Sequence, residues 1–172
     1  MRDALIIFVA IILAIVIGGY LFLNGGPEFN PGSIALPQSQ QPASSFWVLA
    51  EGQDAGGVDR RTNFRIMTDD EFRALWSLVY GTGGPAVPAV DFSKDEVIAV
   101  FDGSHSSGGY RVEVTGVTDA EGKRTVSILR EMPGEDCTVT AGITSPFQIV
   151  RVPKTSLPLA KEEQSRTRRC GP

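Results

Sequence analysis

The sequence VDFSKDEVIAVFDGSHSSGGY spans residues 90–110 and contains the two features from which the rest of the chain can be interpreted. Residues 97–101 form a continuous apolar run flanked by charged residues, which favours a central strand covered on both faces. One face could meet a helix and the other a neighbouring sheet layer. After the strand comes a loop of small residues that ends at Gly108, Gly109 and Tyr110. Such a loop can present backbone to a partner, because glycine permits a close approach.

A helix and a hairpin flank this strand in the sequence. Residues 68–71, Thr-Asp-Asp-Glu, form a capping box, which is the expected start of a helix. We expect one buried helical face, because four apolar residues follow at helical spacing: Phe72, Leu75, Trp76 and Val79. The helix should end near Tyr80, before a segment rich in Gly and Pro. Alternating apolar and polar residues predict a β-hairpin over 109–131.

Shorter apolar segments predict four more strands, at 46–50, 58–67, 137–140 and 147–152. The fold class is therefore α+β: a mostly antiparallel β sandwich or half-open barrel with one main helix. Five of the carboxylates show no calcium-loop spacing, and most of them are interpreted as solvated turn residues: Asp91, Asp95, Glu96, Glu135 and Asp136.

The N-terminal region predicts a single transmembrane helix. Residues 4–23 contain no charged side chain and would span about 30 Å as a helix, the thickness of a bilayer core. A cleaved signal peptide is the alternative, although its apolar region is usually only about 7 to 15 residues long. Arg2 precedes the segment and the next basic residue is Arg60, which favours a cytoplasmic N-terminus and an exported remainder. Residues 1–23 are thus interpreted as a membrane anchor.

The composition changes sharply after the anchor. Residues 24–45 are rich in Gly, Pro, Ser, Gln and Asn, which predicts a flexible linker. Residues 46–172 are long enough for one extracytoplasmic domain. The chain has a net charge of −4 and no basic stripe, so nucleic acid is not an expected partner.

Two cysteines, Cys137 and Cys170, both fall in the exported part. In an oxidising compartment two such residues usually pair, and a bond here would hold down the polar tail at 161–169. Two unrelated thiols remain the alternative. A zinc site would need more ligands than these cysteines and the single histidine, His105, so no metal or cofactor is predicted.

Residues 102–107 contain the side-chain types of a serine hydrolase. Ser106 or Ser107 could act as nucleophile, His105 as base and Asp102 as the orienting acid. However, neighbours in an extended loop point away from each other, and no Gly-x-Ser-x-Gly turn leads into a helix. The sequence therefore predicts a non-catalytic domain.

The loop itself is the candidate partner-binding site. Its residues are Gly103, Ser106, Ser107, Gly108, Gly109 and Tyr110. Glycine allows backbone approach, and tyrosine supplies a large contact with a polar tip. In the alternative interpretation the two glycines only form a bulge or turn, with Tyr110 packed inside.

The region from about residue 70 to 154 resembles the PrcB C-terminal domain family. The resemblance rests on the order of several short motifs: residues 90–94, 108–110, 133–134, 137–140, 144–147 and 149–154. The family is named for an accessory subunit of a bacterial surface protease complex. The terminal cysteine also fits the family pattern, which favours the disulfide. Ser106 and Ser107 depart from the family loop, which often has Pro-Thr before Gly-Gly-Tyr and would be more preorganised.

This resemblance implies an exported, non-catalytic binding domain; in the member for which the family is named, it associates with a protease and helps to keep it assembled. Together with the predicted anchor, this indicates a membrane-anchored, extracytoplasmic interaction domain whose partner is a surface or secreted protease or another envelope protein. The Gly-Gly-Tyr loop is also similar to the Thr-Thr-Gly-Tyr loop with which chagasin-type inhibitors enter the cleft of cysteine proteases. A loop-inserting protease inhibitor is therefore the alternative function, and a serine hydrolase is a third.

Overall fold

The structure, a computed structural model, describes residues 45–171 of the chain. The elements in chain order are β1 (Trp47–Gly52), β2 (Thr62–Ile66), α1 (Asp69–Tyr80), β3 (Asp95–Phe101), β4 (His105–Ser107), β5 (Arg111–Ala120), β6 (Lys123–Pro133), β7 (Ala141–Thr144), β8 (Phe147–Pro153) and β9 (Leu159–Arg168). The predicted anchor at 1–23 and nearly all of the predicted linker lie outside the described residues. Within residues 45–171, no helix has the length and apolar character needed to cross a membrane.

The described residues form three layers. A four-stranded sheet of order β1-β8-β3-β2 lies between α1 and a three-stranded sheet of order β5-β6-β9. Apart from β6 and β9, which pair in parallel, neighbouring strands of these sheets are antiparallel. The prediction of a mostly antiparallel β-rich fold with one helix is confirmed for this part of the chain, and the sheets do not close into a barrel.

The central strand β3 is buried on both faces, as its sequence predicted. Val97, Ala99 and Phe101 pack against α1, whereas Ile98 and Val100 pack against the three-stranded sheet. Residues of a strand alternate between its two faces, so five consecutive apolar residues contribute to two separate cores. Burial on this scale is the main stabilising term of the fold.

The predicted limits and buried face of α1 are confirmed. The hydroxyl of Thr68 accepts a hydrogen bond from the Glu71 backbone N–H at 3.3 Å, as the capping box requires. The helix ends before Gly81, which has φ 69°. The indole N–H of Trp76 donates to the carbonyl of Pro85 at 2.8 Å, so this core side chain has its polar atom satisfied.

Charged residues close both ends of the core between the two sheets. Glu96 on the inner face of β3 and Asp102 just after this strand flank Ile98 and Val100, and on β6 two arginines flank Val126 and Ile128. These arginines pair with the acids across the layers: Arg124 with Glu96 at 2.9 Å and Arg130 with Asp102 at 2.6 Å. Glu96 is therefore an exception among the carboxylates that were mostly interpreted as solvated turn residues, because its carboxylate is fully buried and also binds Arg65 at 2.8 Å.

Two further predictions about strands need correction. Residues 137–140 do not form a strand; the strand in this region is β7, because its backbone pairs with β4. The polar tail at 161–169, expected to depend on a disulfide to stay in place, is mostly strand β9. It pairs along its whole length with β6. The backbone hydrogen bonds to this free edge hold β9 in place, although its side-chain pattern does not predict a strand.

Cys137 and Cys170 form a disulfide with their Cα atoms 4.9 Å apart, as predicted. The carboxylate of Asp136 accepts hydrogen bonds from the backbone N–H groups of Cys170 and Gly171 at 2.9 and 2.7 Å. These two bonds lower the pKa of Asp136. The end of β9 is thus fixed to the turn after β6 both covalently and by a carboxylate.

Candidate functional site

The loop after β3 leads into a short two-stranded ribbon. Strand β4 pairs with β7, with Ser107 opposite Ala141 and His105 opposite Thr144, and the register shifts between these pairs. The hydroxyl of Thr144 donates to the carbonyl of Ser107 at 2.8 Å, and the N–H of Gly108 donates to the carbonyl of Thr140 at 3.0 Å. The site residues predicted from the sequence therefore lie in β4 and in the loop segments on either side of it. The second strand of the ribbon, β7, was not predicted.

Gly108 and Gly109 are held by close packing. A Cβ on Gly108 would lie 2.4 Å from the Thr140 hydroxyl oxygen. Gly109 has φ 92°, and a Cβ there would lie 2.9 Å from a methyl group of Val139 and 3.0 Å from Pro133. Gly109 needs glycine because of its positive φ, and a side chain at Gly108 would displace the Thr140 hydroxyl, which agrees with the interpretation of the pair as a turn.

The other predicted site residues differ in exposure. Gly103 is buried with φ 79°, and a Cβ there would meet the backbone nitrogen of Arg61 at 2.8 Å, so it too is structural. Ser106 is exposed, and Ser107 is half-buried within β4. Tyr110 is also half-buried, and its ring stacks on His105 with the centroids 3.7 Å apart. Of the six residues, Ser106 is the most open to a partner, and Tyr110 offers part of its ring.

A shallow depression of about 280 Å³ lies beside the ribbon. Its lining residues come from the loop and the start of β5, from β7 and the residue before it, from the turn after β1 and from the end of β9: Gln53, Gly108, Gly109, Tyr110, Arg111, Thr140, Thr144 and Arg168. The surface combines backbone, hydroxyl groups and two arginine side chains. It suits hydrogen bonding to an extended polypeptide better than enclosure of a small apolar ligand.

Sequence reasoning missed one residue of this region, Ile143 on β7. It is 82% exposed, more than any other large apolar residue among residues 45–171. Successive residues of a strand point to opposite faces, so Ile143 lies on the other face of the ribbon from Thr144, which lines the depression. An isoleucine in the short segment Ala-Gly-Ile-Thr at 141–144 was a signal that could have been noticed. We refer to the exposed parts of β4 and β7, the depression and Ile143 together as the ribbon site.

A charged network lies beneath the ribbon site. The buried carboxylate of Asp102 is 2.8 Å from His105 Nε2, 2.6 Å from Arg130 and 3.1 Å from Arg61. The expectation that neighbouring side chains in this loop point away from each other was therefore wrong for Asp102 and His105. The backbone turns at Gly103, which brings the two side chains together.

The network continues to the last strand. Arg130 also reaches Glu163 of β9 at 3.3 Å. A hydrogen bond from Lys161 lowers the pKa of Glu163 to about 2; burial opposes this shift, and the charge of Arg130 adds to it. The loop, β6 and β9 are thus joined by side chains as well as by backbone pairing.

The geometry around His105 is incomplete for hydrolysis. In a catalytic triad the histidine receives a proton from a serine hydroxyl while the acid holds its other nitrogen. Within residues 45–171, His105 is hydrogen-bonded to Asp102 and to no serine hydroxyl. The hydroxyl of Ser104 instead lies 3.3 Å from Asp59 and 3.1 Å from the hydroxyl of Ser145.

The same part of the chain contains no group of three or more His, Cys, Asp or Glu side chains arranged to hold a metal ion. Asp102 and His105 illustrate why. The carboxylate is already surrounded by the guanidinium groups of Arg61 and Arg130, and a metal cation would have to compete with both.

Residues 97–153 match the model of a protein family described as PrcB C-terminal. This segment is similar to PrcB C-terminal domains. The match begins with β3 and ends with β8, so it contains the loop, the ribbon, the β5–β6 hairpin and Cys137. No curated protein and no solved structure matches the chain. The resemblance identified from the short motifs is confirmed over these residues.

Most of the ribbon site lies within the segment that matches the family. Both strands of the ribbon, the predicted loop residues and Ile143 fall inside residues 97–153. The helix α1 and the strands β1, β2 and β9 fall outside it. The PrcB C-terminal segment therefore supplies two central strands of the four-stranded sheet, most of the three-stranded sheet and the whole ribbon.

Proposed function

We propose that this chain is a membrane-anchored, extracytoplasmic and non-catalytic binding domain that serves as an accessory subunit of a surface protease complex. It contacts its protein partner through the ribbon site. The PrcB C-terminal match supports association with a protease complex.

The sequence supports export. Residues 4–23 are apolar and uncharged over about the length that a membrane-spanning helix needs. The disulfide between Cys137 and Cys170 supports an oxidising compartment, because such bonds are rare where cytosolic reductants act. An extracytoplasmic domain attached to the cell membrane by residues 1–23 fits both observations.

The exposure of Ile143 is the main reason for placing the partner-binding surface at the ribbon site. Its isolated apolar side chain has little to bury it within residues 45–171, and binding would remove it from water. The depression on the other face of the ribbon offers arginine, hydroxyl and backbone groups for the polar part of an interface. A partner that grips the ribbon from both faces would use both sets of contacts.

An accessory role fits the loop better than insertion into a protease cleft. An inserting loop has to project, whereas Gly108 and Gly109 are packed against Thr140, Val139 and Pro133. The network around His105 likewise favours a non-catalytic domain, since no serine hydroxyl in the described residues is bonded to it. Measured protease activity in the complex would separate the two roles, because an inhibitor abolishes turnover and an assembly subunit preserves it.

Site-specific photo-crosslinking tests this proposal. The full chain, in its native membrane, would carry benzoylphenylalanine in place of Ile143, and crosslinked proteins would be identified by mass spectrometry. We expect a protease subunit among them. The matched control places the same group at Val48, which is also exposed but lies on β1, away from the ribbon.

Substitution gives a second readout. We expect Ile143→Asp to reduce co-purification of the partner at least tenfold, and Val48→Asp to leave it unchanged, while both variants unfold at the wild-type denaturant concentration. A crosslink from position 48 with none from 143 would contradict the choice of surface. A partner set without any protease would contradict the proposed role.

A further inference from the structure

A second exposed groove lies far from the ribbon site in the sequence, between the edge strand β2 and the helix α1. It has a volume of about 430 Å³ and is lined by Phe64, Arg65, Ile66, Glu71, Ala74, Leu75 and Leu78. Most of this lining is apolar. Phe64 and Leu78 are 38% and 44% exposed, so the groove leaves large side chains in contact with water.

Strand β2 is the outermost strand of its sheet. It pairs with β3 on one side, and among residues 45–171 no strand pairs with its other side. In an antiparallel pair, alternate residues direct their N–H and C=O groups away from the partner strand. About two or three of the five residues of β2 therefore present free backbone groups beside the groove.

The helix side of the groove has a regular shape. Glu71, Ala74, Leu75 and Leu78 follow one another at helical spacing, so they form a stripe beside the buried face of α1. The small side chain of Ala74 leaves room between Glu71 and Leu78. The stripe is about 10 Å long, which corresponds to about three residues of an extended chain.

The charges at the groove are unbalanced. Arg65 lines it, but its guanidinium is occupied by Glu96 and by the carbonyls of Thr155 and Leu157, at distances between 2.6 and 3.1 Å. Glu71 has no basic partner within the described residues, and a hydrogen bond from the Met67 N–H lowers the pKa of its carboxylate. The groove thus carries a negative charge at the end nearest the start of α1.

We propose that this groove binds an extended segment of a partner protein, which pairs with β2 as an added strand, places alternate apolar side chains against Phe64, Ala74 and Leu78, and meets Glu71 with a lysine or arginine. Free strand edges beside a helix allow recognition of this kind, in which backbone pairing supplies affinity and the pockets supply selectivity. This surface is distinct from the ribbon site, and binding at the groove does not depend on binding at the ribbon site.

Selection from a phage-displayed library of random decapeptides tests the inference on the full chain in detergent micelles. We expect enriched sequences with apolar residues at alternate positions and a basic residue at one end. Methylation of two alternate backbone nitrogens in the best peptide should weaken its binding at least tenfold, because it removes the donors that β2 needs. Sequences without alternation, or binding that is unaffected by methylation of either alternate set of backbone nitrogens, would overturn the strand-pairing mode.

Substitutions in the groove test whether the selected peptide binds there. Ala74→Trp fills the groove and should weaken the selected peptide at least tenfold, whereas Ser77→Trp, exposed on α1 outside the groove, should not. Glu71→Gln should lower affinity for the basic peptide about threefold and reduce its salt dependence, and Asp70→Asn serves as its control. Equal effects of the two tryptophan variants would overturn the site. If the full chain self-associates and Ala74→Trp abolishes this association, the occupant of the groove is a second copy of the chain and not a separate partner.

Discussion

The carboxylate of Asp102 lies 2.6 Å from a guanidinium nitrogen of Arg130, and both side chains are only 2% exposed. The pair connects the end of β3 to β6 directly below the ribbon site. Removal of one partner would leave the other charge buried, which costs far more than the pair itself contributes.

We expect Asp102→Asn to lower the free energy of unfolding by about 3 kcal/mol, because Arg130 keeps only its longer contact with Glu163 as ionic compensation. Urea unfolding followed by tryptophan fluorescence measures the loss. Asp70→Asn is the control, since Asp70 is exposed on α1 and should change stability by about 1 kcal/mol or less. Equal losses in the two variants would show that the Asp102 carboxylate is solvated.

Replacement of core tryptophan should be much more damaging than replacement of surface tryptophan. Trp76→Ala should lower the free energy of unfolding by about 3 to 5 kcal/mol, since it leaves a cavity in the core and deprives Pro85 of its hydrogen bond. Trp47 is 47% exposed and stacks on Arg151, so Trp47→Ala should cost about 1 kcal/mol or less. Chemical denaturation of the two variants checks the difference, and a Trp76→Ala loss below that of Trp47→Ala would contradict the packing.

Acid should destabilise the domain through Glu163. Its folded-state pKa of about 2 lies below the ordinary value near 4.5, so the stabilisation is fully present above pH 4.5 and is lost as the pH falls toward 2. Glu163→Gln should flatten the dependence of the urea midpoint on pH across this window. Its neighbour Glu162 is exposed, and Glu162→Gln should leave the slope as it is in the wild type. An unchanged slope in Glu163→Gln would refute the assignment.

Loss of the disulfide should loosen β9 before the rest of the domain. Replacing Cys137 and Cys170 together by serine opens a loop with a sequence separation of 33 residues. The chain-entropy model values such a loop at about 4 kcal/mol. Hydrogen exchange should show the largest increase in β9 and on the strand β6 to which it pairs. Asp136→Asn should have a smaller effect, confined to the amides of Cys170 and Gly171, and uniform exchange across all strands would contradict this order.

The sequence predicts the elements whose order depends on neighbours along the chain. The capping box and the spacing of Phe72 and Trp76 define α1, the apolar run at 97–101 defines β3, and alternation on either side of a turn defines the β5–β6 hairpin. At that turn Glu121 and Gly122 both have positive φ, as a tight two-residue turn requires. Local propensity and hydrophobic period suffice for such elements.

Pairing between distant segments was not predictable in the same way. After Leu159 and Ala160, strand β9 is entirely polar, and pairing with the free edge of β6 explains why it is a strand. Likewise, β7 exists because β4 pairs with it. The buried arginines had a detectable signal, since Arg124 and Arg130 continue the alternation of Val126 and Ile128. Their partners across the layers, Glu96 and Asp102, could not be identified from one sequence, because these acids lie on β3 and just after it, in the other layer.

The two buried ion pairs also determine how far one sheet can slide over the other. Glu96 on β3 and Asp102 just after it have the same spacing along the chain as Arg124 and Arg130 on β6, so both pairs form at a single longitudinal position. A displacement of two residues, about 7 Å, would set buried charges against Ile98, Val100 or Ile128 and leave others without a counterion. The loops that leave opposite sheets are thereby kept at a fixed offset. A partner that contacts loops from both sheets would therefore bind a preorganised surface, and no binding free energy would be lost in fixing the distance between these loops.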